Sequence, residues 1–299
     1  MSPNNSKRSV LVTGCSDGGL GAALAVAFHE AGLHVYATAR NTAKMAKLKA
    51  LGIETKELDV LSESSIAKCV SQIPSLDILV NNAGLQMTMT ASDTSITQAK
   101  EIFDVNVWAL IAVSQAFLPL LVNSKGTIVN QTSIASTVAI PLGSAYGASK
   151  AAAAQFSAVM RIELESFGVK VLDLKTGVAG PTNFIDNNTT LNRPGSAEIL
   201  PTGSIYNPAR ELVTTLIRQE GFKDKKSGQT GMEPAVWAKL VVQDVLKTNP
   251  PYVIWQGQYT ILGKLAYWLP IGWISWMVKK AARWNEVEAI LNKRSDQKY

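Results

Sequence analysis

The chain has 299 residues, 46% of them apolar and 17% charged, with a formal charge of +6. Length and mix exclude a disordered chain and allow one large core or two small ones. Two cysteines without CxxC spacing and only two histidines exclude a disulfide scaffold and argue against a metal site, and the basic residues lack the aromatic interleaving of a nucleic-acid surface.

In chain order, MSPNNSKRSVLVTG runs directly into a strand pattern without the apolar stretch of a secretory signal, so a reducing, cytosol-like compartment is expected for the body. SVLVTG (9–14) reads as a strand, followed by glycines at 14, 18, 19 and 21 and a helix over 20–32. A glycine-rich turn between strand and helix brings free N–H groups and the positive end of the helix dipole to a phosphate. Asp17 would repel that phosphate and is expected to cap the first helix instead. The second strand, HVYATA (34–39), is followed by Arg40, and no acidic residue stands there to take the ribose hydroxyl of NAD. Arg40 instead suits a 2′-phosphate, which favours NADP(H).

Further strands are expected at 53–60, 76–84, 126–133, 169–177 and 250–257, with helices at 61–72, 96–122, 146–167 and 233–247. The regular β–α alternation, with apolar runs such as LDILV, predicts an α/β doubly wound parallel sheet (a Rossmann fold) in one domain. Residues 178–232 break the pattern with Asn, Thr, Gly and Pro, and read as a substrate lid holding a helix near 207–219. The catalytic domain is expected to span 1–257, and 258–299 to form an extension.

SAYGASK places Tyr146 and Lys150 four apart, on one face of a helix. A nearby ammonium is expected to lower the phenol's pKa and make it a usable proton donor and acceptor. Ser133 closes the strand GTIVNQTS, at the edge of a parallel sheet where ligands bind.

TGCSDGGLG, LDV, NNAG, FDVNV, TS and YGASK, in this order and spacing, resemble the short-chain dehydrogenase/reductase family over roughly residues 8–257. The resemblance implies that Tyr146 protonates the developing alkoxide as hydride arrives. It implies that Lys150 holds the nicotinamide ribose and tunes Tyr146, that Ser133 binds the substrate carbonyl, and that Asn106 anchors a water in the proton relay. It also implies cofactor contacts from Gly14, Ser16, Gly19, Leu20 and Gly21, from Asp59 and Val60 at the adenine, from Asn82, Ala83 and Gly84, and from Val178 and Thr182 near the nicotinamide. Two departures stand out: the glycine loop is one residue longer than the family's usual pattern, and Thr176-Gly177 replaces a frequent Pro-Gly. A homodimer or homotetramer is implied. Within the family, the loop, VYATARN and the apolar extension are similar to fungal 1-acyl-dihydroxyacetone-phosphate reductases. Retinoid, steroid and secondary-metabolite members remain alternatives for the substrate, and a catalytically silent NADP-binding regulator is the alternative outside enzymes. Arg193, Arg210, Arg218, Lys223, Lys225 and Lys226 in the lid suit either a phosphate head group or a solvated face.

The chain then reaches AYWLPIGWISWMV (266–278), inside fourteen uncharged residues from Leu265 to Val278. As helix these span about 21 Å, short of the roughly 30 Å apolar core of a bilayer. Apolar residues circle the helix, Trp and Tyr prefer the lipid–water interface, and Lys279, Lys280 and Arg283 follow. From Gln258 to Tyr299 seven Lys/Arg stand against three Asp/Glu, a net +4. These features favour a monotopic or re-entrant anchor on the cytosolic face of the endoplasmic reticulum or on a lipid droplet; a buried helix or lid in a cytoplasmic enzyme is the alternative.

Overall fold

Val10, Leu11 and Val12 are almost wholly inaccessible, because strand β1 (Ser9–Thr13) lies mid-sheet with helices on both faces. The computed structural model describes residues 7–182, 199–218 and 231–295. After β1 come α1 (Leu20–Glu30), β2 (His34–Ala39), α2 (Ala46–Ala50), β3 (Glu54–Glu57), α3 (Glu63–Ser71) and β4 (Ile78–Asn81). A helical run then passes through α4 (Ile96–Phe103), a π-helical turn at Asp104–Trp108 and α5 (Ala109–Ser124). It leads to β5 (Thr127–Gln131), α6 (Ser144–Leu164) and β6 (Lys170–Thr176). The chain closes with α7 (Arg210–Ile217), α8 (Pro234–Val245), β7 (Val253–Gln256), α9 (Thr260–Leu265), α10 (Ile271–Ala281) and α11 (Trp284–Ser295).

The seven strands form one parallel sheet in the order β3-β2-β1-β4-β5-β6-β7. The order reverses between β1 and β4, and in such sheets the crevice at the carboxyl ends of those strands takes the ligand. Alternate residues feed opposite cores. Val10 and Val12 pack with α1 and α8, including Phe28 and Trp237, while Leu11 packs with α3 and α5, including Cys69 and Phe117.

Each expected strand and helix is present, with ends shifted by a few residues and the helix expected over 96–122 divided by the π-helical turn. In the central strands, burial on both sides needs only the short middle part of each apolar run. The helical piece expected near 207–219 is α7, which packs with Met87, Met89 and Leu142.

The C-terminal stretch differs from expectation. Its apolar residues do not circle a free helix: α10 buries Ile274 and Val278 against Val138 and partly buried Ile140, Leu262 and Leu269. The partner surface is the loop after β5, which the sequence pattern left unassigned. The opposite face exposes Ile271, Trp273 and Trp276, with Tyr267 and Trp268 just before it. Among the described residues one helical run is long and apolar enough to cross a membrane, Ile96–Ser124, and it is a core element with Val113, Phe117 and Leu121 buried.

Candidate active site

The glycine loop turns sharply where β1 ends. Gly14 has φ +74°, and a Cβ on Gly21 would lie 2.5 Å from Gly14 O and 2.4 Å from Asn82 Nδ2. Only glycine lets the first turn of α1 press this closely on the ends of β1 and β4. The extra loop residue is absorbed by a β-turn in which Gly19 N–H donates to Ser16 O at 3.0 Å and Gly18 takes φ +79°. Gly19 is the N-cap of α1, and no side chain caps it. The N–H groups of Leu20 and Gly21 therefore open at the carboxyl edge of the sheet, the arrangement that receives phosphate.

Asp17 does not cap α1. Its N–H donates to Lys44 O at 2.7 Å and its carboxylate accepts from Lys47 N at 3.2 Å, so it fastens the loop to the region of α2. Arg40 is exposed at the end of β2. Asp59 accepts from Leu61 N at 3.1 Å and donates its own N–H to Ser65 Oγ at 2.9 Å, forming the turn that precedes α3. Val60 lines a small pocket with Ala83, Val105 and Ala109. Asn82 Nδ2 donates to Thr13 O at 2.6 Å, and Asn82 and Ala83 N–H groups both donate to Thr13 Oγ1, tying the β4 end to the β1 end. Thr13 and Asn81 were not singled out in the sequence. Asn81 Nδ2 donates to Ser114 Oγ and Asn130 Oδ1, both at 2.8 Å, and Asn130 Nδ2 reaches Ser157 on α6. The two successive Asn of NNAG were the one available signal.

Further along the edge, four candidate residues converge. Ser133 follows β5 and stands near enough to Tyr146, in the first turn of α6, to act on its phenol. Gly147 permits this approach, since a Cβ there would stand 3.1 Å from Ala135 O. Lys150, one turn on, is buried and donates to Gln131 O at 2.8 Å, with Nζ 5.9 Å from the Tyr146 ring centre. Asn106 sits in the π-helical turn, a local widening often found at functional sites. Its Oδ1 accepts from Leu85 N at 2.8 Å, and its Nδ2 donates to Leu85 O and Ser149 Oγ. Both amide donors are thus spent on protein, and the side chain joins the loop after β4 to α6.

Burial pushes the Tyr146 phenol above its usual pKa, and the Ser133 side chain only opposes this. Burial, not the expected lowering by Lys150, is the dominant effect on the phenol. Burial lowers Lys150 to about 8 despite the Asp173 carboxylate, which acts to raise it. At neutral pH Tyr146 is therefore a protonated donor beside a cationic Lys150.

Gly84 lies beside the tetrad, where a Cβ would be 3.2 Å from Asn106 Oδ1 and 3.5 Å from Lys150 Nζ. Val178 backbone bonds Gln258 and Met232, and Thr182 is the last described residue before 183–198. Gln131 Oε1 and Thr176 Oγ1, at the ends of β5 and β6, are buried with no protein partner among the described residues. An uncapped helix start, two strand-end oxygens awaiting partners and a cation at the β2 end fit an elongated phosphorylated dinucleotide.

In the segment expected to form a lid, Arg210 donates to Leu200 O at 2.7 Å and Pro201 O at 2.8 Å, and so serves as a strut. Arg218 is exposed, while Arg193, Lys223, Lys225 and Lys226 lie outside the described residues.

The family model for short chain dehydrogenases matches residues 8–191. A short-chain dehydrogenase/reductase of Pestalotiopsis microspora is 49% identical over 95% of this chain and 97% of its own length. An NADPH-dependent 1-acyldihydroxyacetone phosphate reductase of Schizosaccharomyces pombe is 35% identical over 91% of this chain and 93% of its own. A serine dehydrogenase solved with NADP+ is similar in structure, with TM-score 0.68 and 25% identity over 84% of this chain and 95% of its own. The glycine loop, the NNAG turn and the Ser133, Tyr146 and Lys150 cluster on a seven-stranded parallel sheet agree with these matches: the chain belongs to the short-chain dehydrogenase/reductase family.

Proposed function

We propose that this chain is an NADP(H)-dependent reductase of a lipophilic ketone or aldehyde, with Tyr146 as the proton donor. The observation that carries the reading is buried Lys150 one helical turn from Tyr146, its Nζ 5.9 Å from the phenol ring centre, with Ser133 acting on the same phenol. The bound cofactor supplies a hydride to the carbonyl carbon. Tyr146 gives its proton to the carbonyl oxygen, Ser133 hydrogen-bonds that oxygen, and Lys150 holds positive charge beneath the phenol. The loop from Gly14 to Gly21 and the start of α1 hold the phosphates, Arg40 meets the 2′-phosphate, and Asp59, Val60 and Ala83 border the adenine. Gly84, Lys150, Val178 and Thr182 border the nicotinamide half.

Two observations support a lipophilic substrate. The segment after β4 that leads to the tetrad packs Met87 and Met89 against α7 in an apolar cluster. The Schizosaccharomyces pombe relative is named for an acylated ketone phosphate. 1-Acyl-dihydroxyacetone phosphate is accordingly the first substrate to try. NADPH consumption against that compound, a retinal, a steroid ketone and a polyketide ketone tests the reading. No turnover of any carbonyl would leave the silent NADP-binding alternative standing.

The exposed aromatic face of α10 supports docking on a lipid surface of the endoplasmic reticulum or a lipid droplet. Trp268 and Ile271 are each 85% exposed, Trp273 67% and Trp276 61%, and Lys280 stacks over Trp276 at 5.4 Å. This is an interfacial arrangement, since α10 spans only about 16 Å, half a bilayer core. A second apolar surface pairs exposed Trp108 with Phe156 edge to face at 6.0 Å, and Val159 and Ile162 continue it along α6. It suits a second copy of this chain, which light scattering would detect as a dimer or tetramer.

A further inference from the structure

Catalytic Ser133 lies within a short segment, Thr132 to Ser136, whose ends are both held from β6. On the near side, Thr132 Oγ1 donates to Asp173 Oδ1. On the far side, Lys175 Nζ donates to Ser136 Oγ at 2.8 Å, and Ser136 Oγ donates to Ser133 O at 2.6 Å. Asp173 Oδ2 and Lys175 Nζ join the two sides at 2.8 Å. The side chains thus form a closed bracket that begins one residue before Ser133 and ends three residues after it. Both charges are buried, with side-chain exposures of 3% for Lys175 and 11% for Asp173.

A buried ion pair is a poor source of stability, since desolvation offsets most of the attraction. Its worth here is geometric. Asp173 and Lys175 are two apart on one strand, so both project to the same side of the sheet, toward α6. The C-terminal extension closes over them. Lys175 Nζ lies 5.7 Å from the Trp255 ring centre, and Gly263 of α9 packs so tightly on that ring that a Cβ would come within 2.5 Å of it.

We propose that Asp173 and Lys175 are positioning residues that hold the Thr132–Ser136 segment so that Ser133 Oγ stands against Tyr146. The proposal rests on the catalytic reading of Ser133 and Tyr146 given above. The pair also sets the field at Lys150. Tyr146 on the same helix and Asp173 on β6 are the titratable groups facing Lys150, with Lys175 behind Asp173. Tyr267 of the extension lies within the field of Asp173. Removing Lys175 leaves the Asp173 charge unshared and strengthens its hold on the Lys150 proton. Removing the Asp173 charge weakens that hold. The two changes should therefore move the Lys150 titration in opposite directions, which a merely structural defect would not do.

The test uses the full chain, NADPH and a carbonyl compound that the parent enzyme reduces. Ser136→Ala, Lys175→Met, Asp173→Asn, Lys175→Arg and the double variant Asp173→Asn/Lys175→Met are compared with Tyr146→Phe for kcat, KM, NADPH affinity by fluorescence and kcat against pH. Ser136→Ala and Lys175→Met should lower kcat by about 10–100-fold, the usual effect of a misplaced catalytic group, with NADPH affinity unchanged. Lys175→Arg should recover part of the loss. The alkaline limb of the pH profile should move up in Lys175→Met and down in Asp173→Asn. If Lys175→Met does not fold, the double variant decides, because it removes both charges and keeps an acceptor for Thr132; it should fold and stay slow. Parental kcat in Ser136→Ala together with Lys175→Met or the double variant overturns the bracket, provided Tyr146→Phe is inactive. Full activity in Tyr146→Phe overturns the catalytic reading itself.

Discussion

In the proposed reaction Tyr146 acts through one hydroxyl. Tyr146→Phe keeps the ring and its packing and removes the proton. Turnover should fall by about 10²–10⁴-fold, the range of general acid catalysis, while NADPH binding persists in fluorescence titration. Lys150 adds a pH dependence whose sign follows from burial. Its ammonium is complete well below its pKa of about 8 and is lost above it. Reduction should therefore be flat through neutral pH and decline at alkaline pH, and a rate that climbs steadily to pH 10 in kcat/KM would count against Lys150. Arg40 is exposed, and the role proposed for it is cofactor choice. Arg40→Asp should erase a preference for NADPH over NADH, read as the ratio of kcat/KM values, because a carboxylate repels a 2′-phosphate and accepts from a ribose hydroxyl.

At the scale of elements, the site depends on how closely three strand ends approach one another. Gly21 is the tightest point of the glycine loop, and Gly21→Ala would drive a methyl group into Gly14 O and Asn82 Nδ2. Overpacking of this kind costs about 1–3 kcal/mol, and here the displaced atoms belong to the phosphate loop. Denaturant melts should show that loss, and NADPH affinity should fall with it. The π-helical turn between α4 and α5 is a second such device. It seats Asn106 between Leu85 and Ser149, so the loop after β4 and α6 share one amide. Regular apolar spacing over 96–122 reads as continuous helix, and nothing in that spacing marks one inserted residue per turn. For the same reason the Asn81–Asn130–Ser157 ladder was invisible: its members are remote in sequence and meet only when β4 pairs with β5 and α6 lies across them.

For the whole molecule, α9, α10 and α11 are a cover rather than a tail. One side of α10 rests on Val138 and the other displays tryptophans beside Lys279 and Lys280. Replacing Trp268, Trp273 and Trp276 by Ala should abolish co-sedimentation with anionic phospholipid vesicles and spare turnover of a water-soluble carbonyl, because these side chains are exposed and pack on no catalytic group. Equal recovery of parent and variant with vesicles would dismiss the lipid-docking role of this face.

The sequence by itself determined the order and kind of the elements and the parallel sheet, and it nominated the tetrad Asn106, Ser133, Tyr146 and Lys150. Those features rest on local periodicity and short spacings: Tyr146 and Lys150 share a helix face whatever else the chain does. Only the tertiary structure decided where the charges act. Asp17 fastens the region of α2 instead of capping α1, and Arg210 braces the segment expected to form a lid. Burial raises Tyr146 more than any cation lowers it, and Lys175 pairs with Asp173 beneath Ser133. It also split the C-terminal stretch into a buried and an exposed face, since the loop that α10 covers lies over 130 residues earlier in the chain. Desolvation and long-range pairing depend on which segments pack together, and a one-dimensional pattern of residue types does not contain that information.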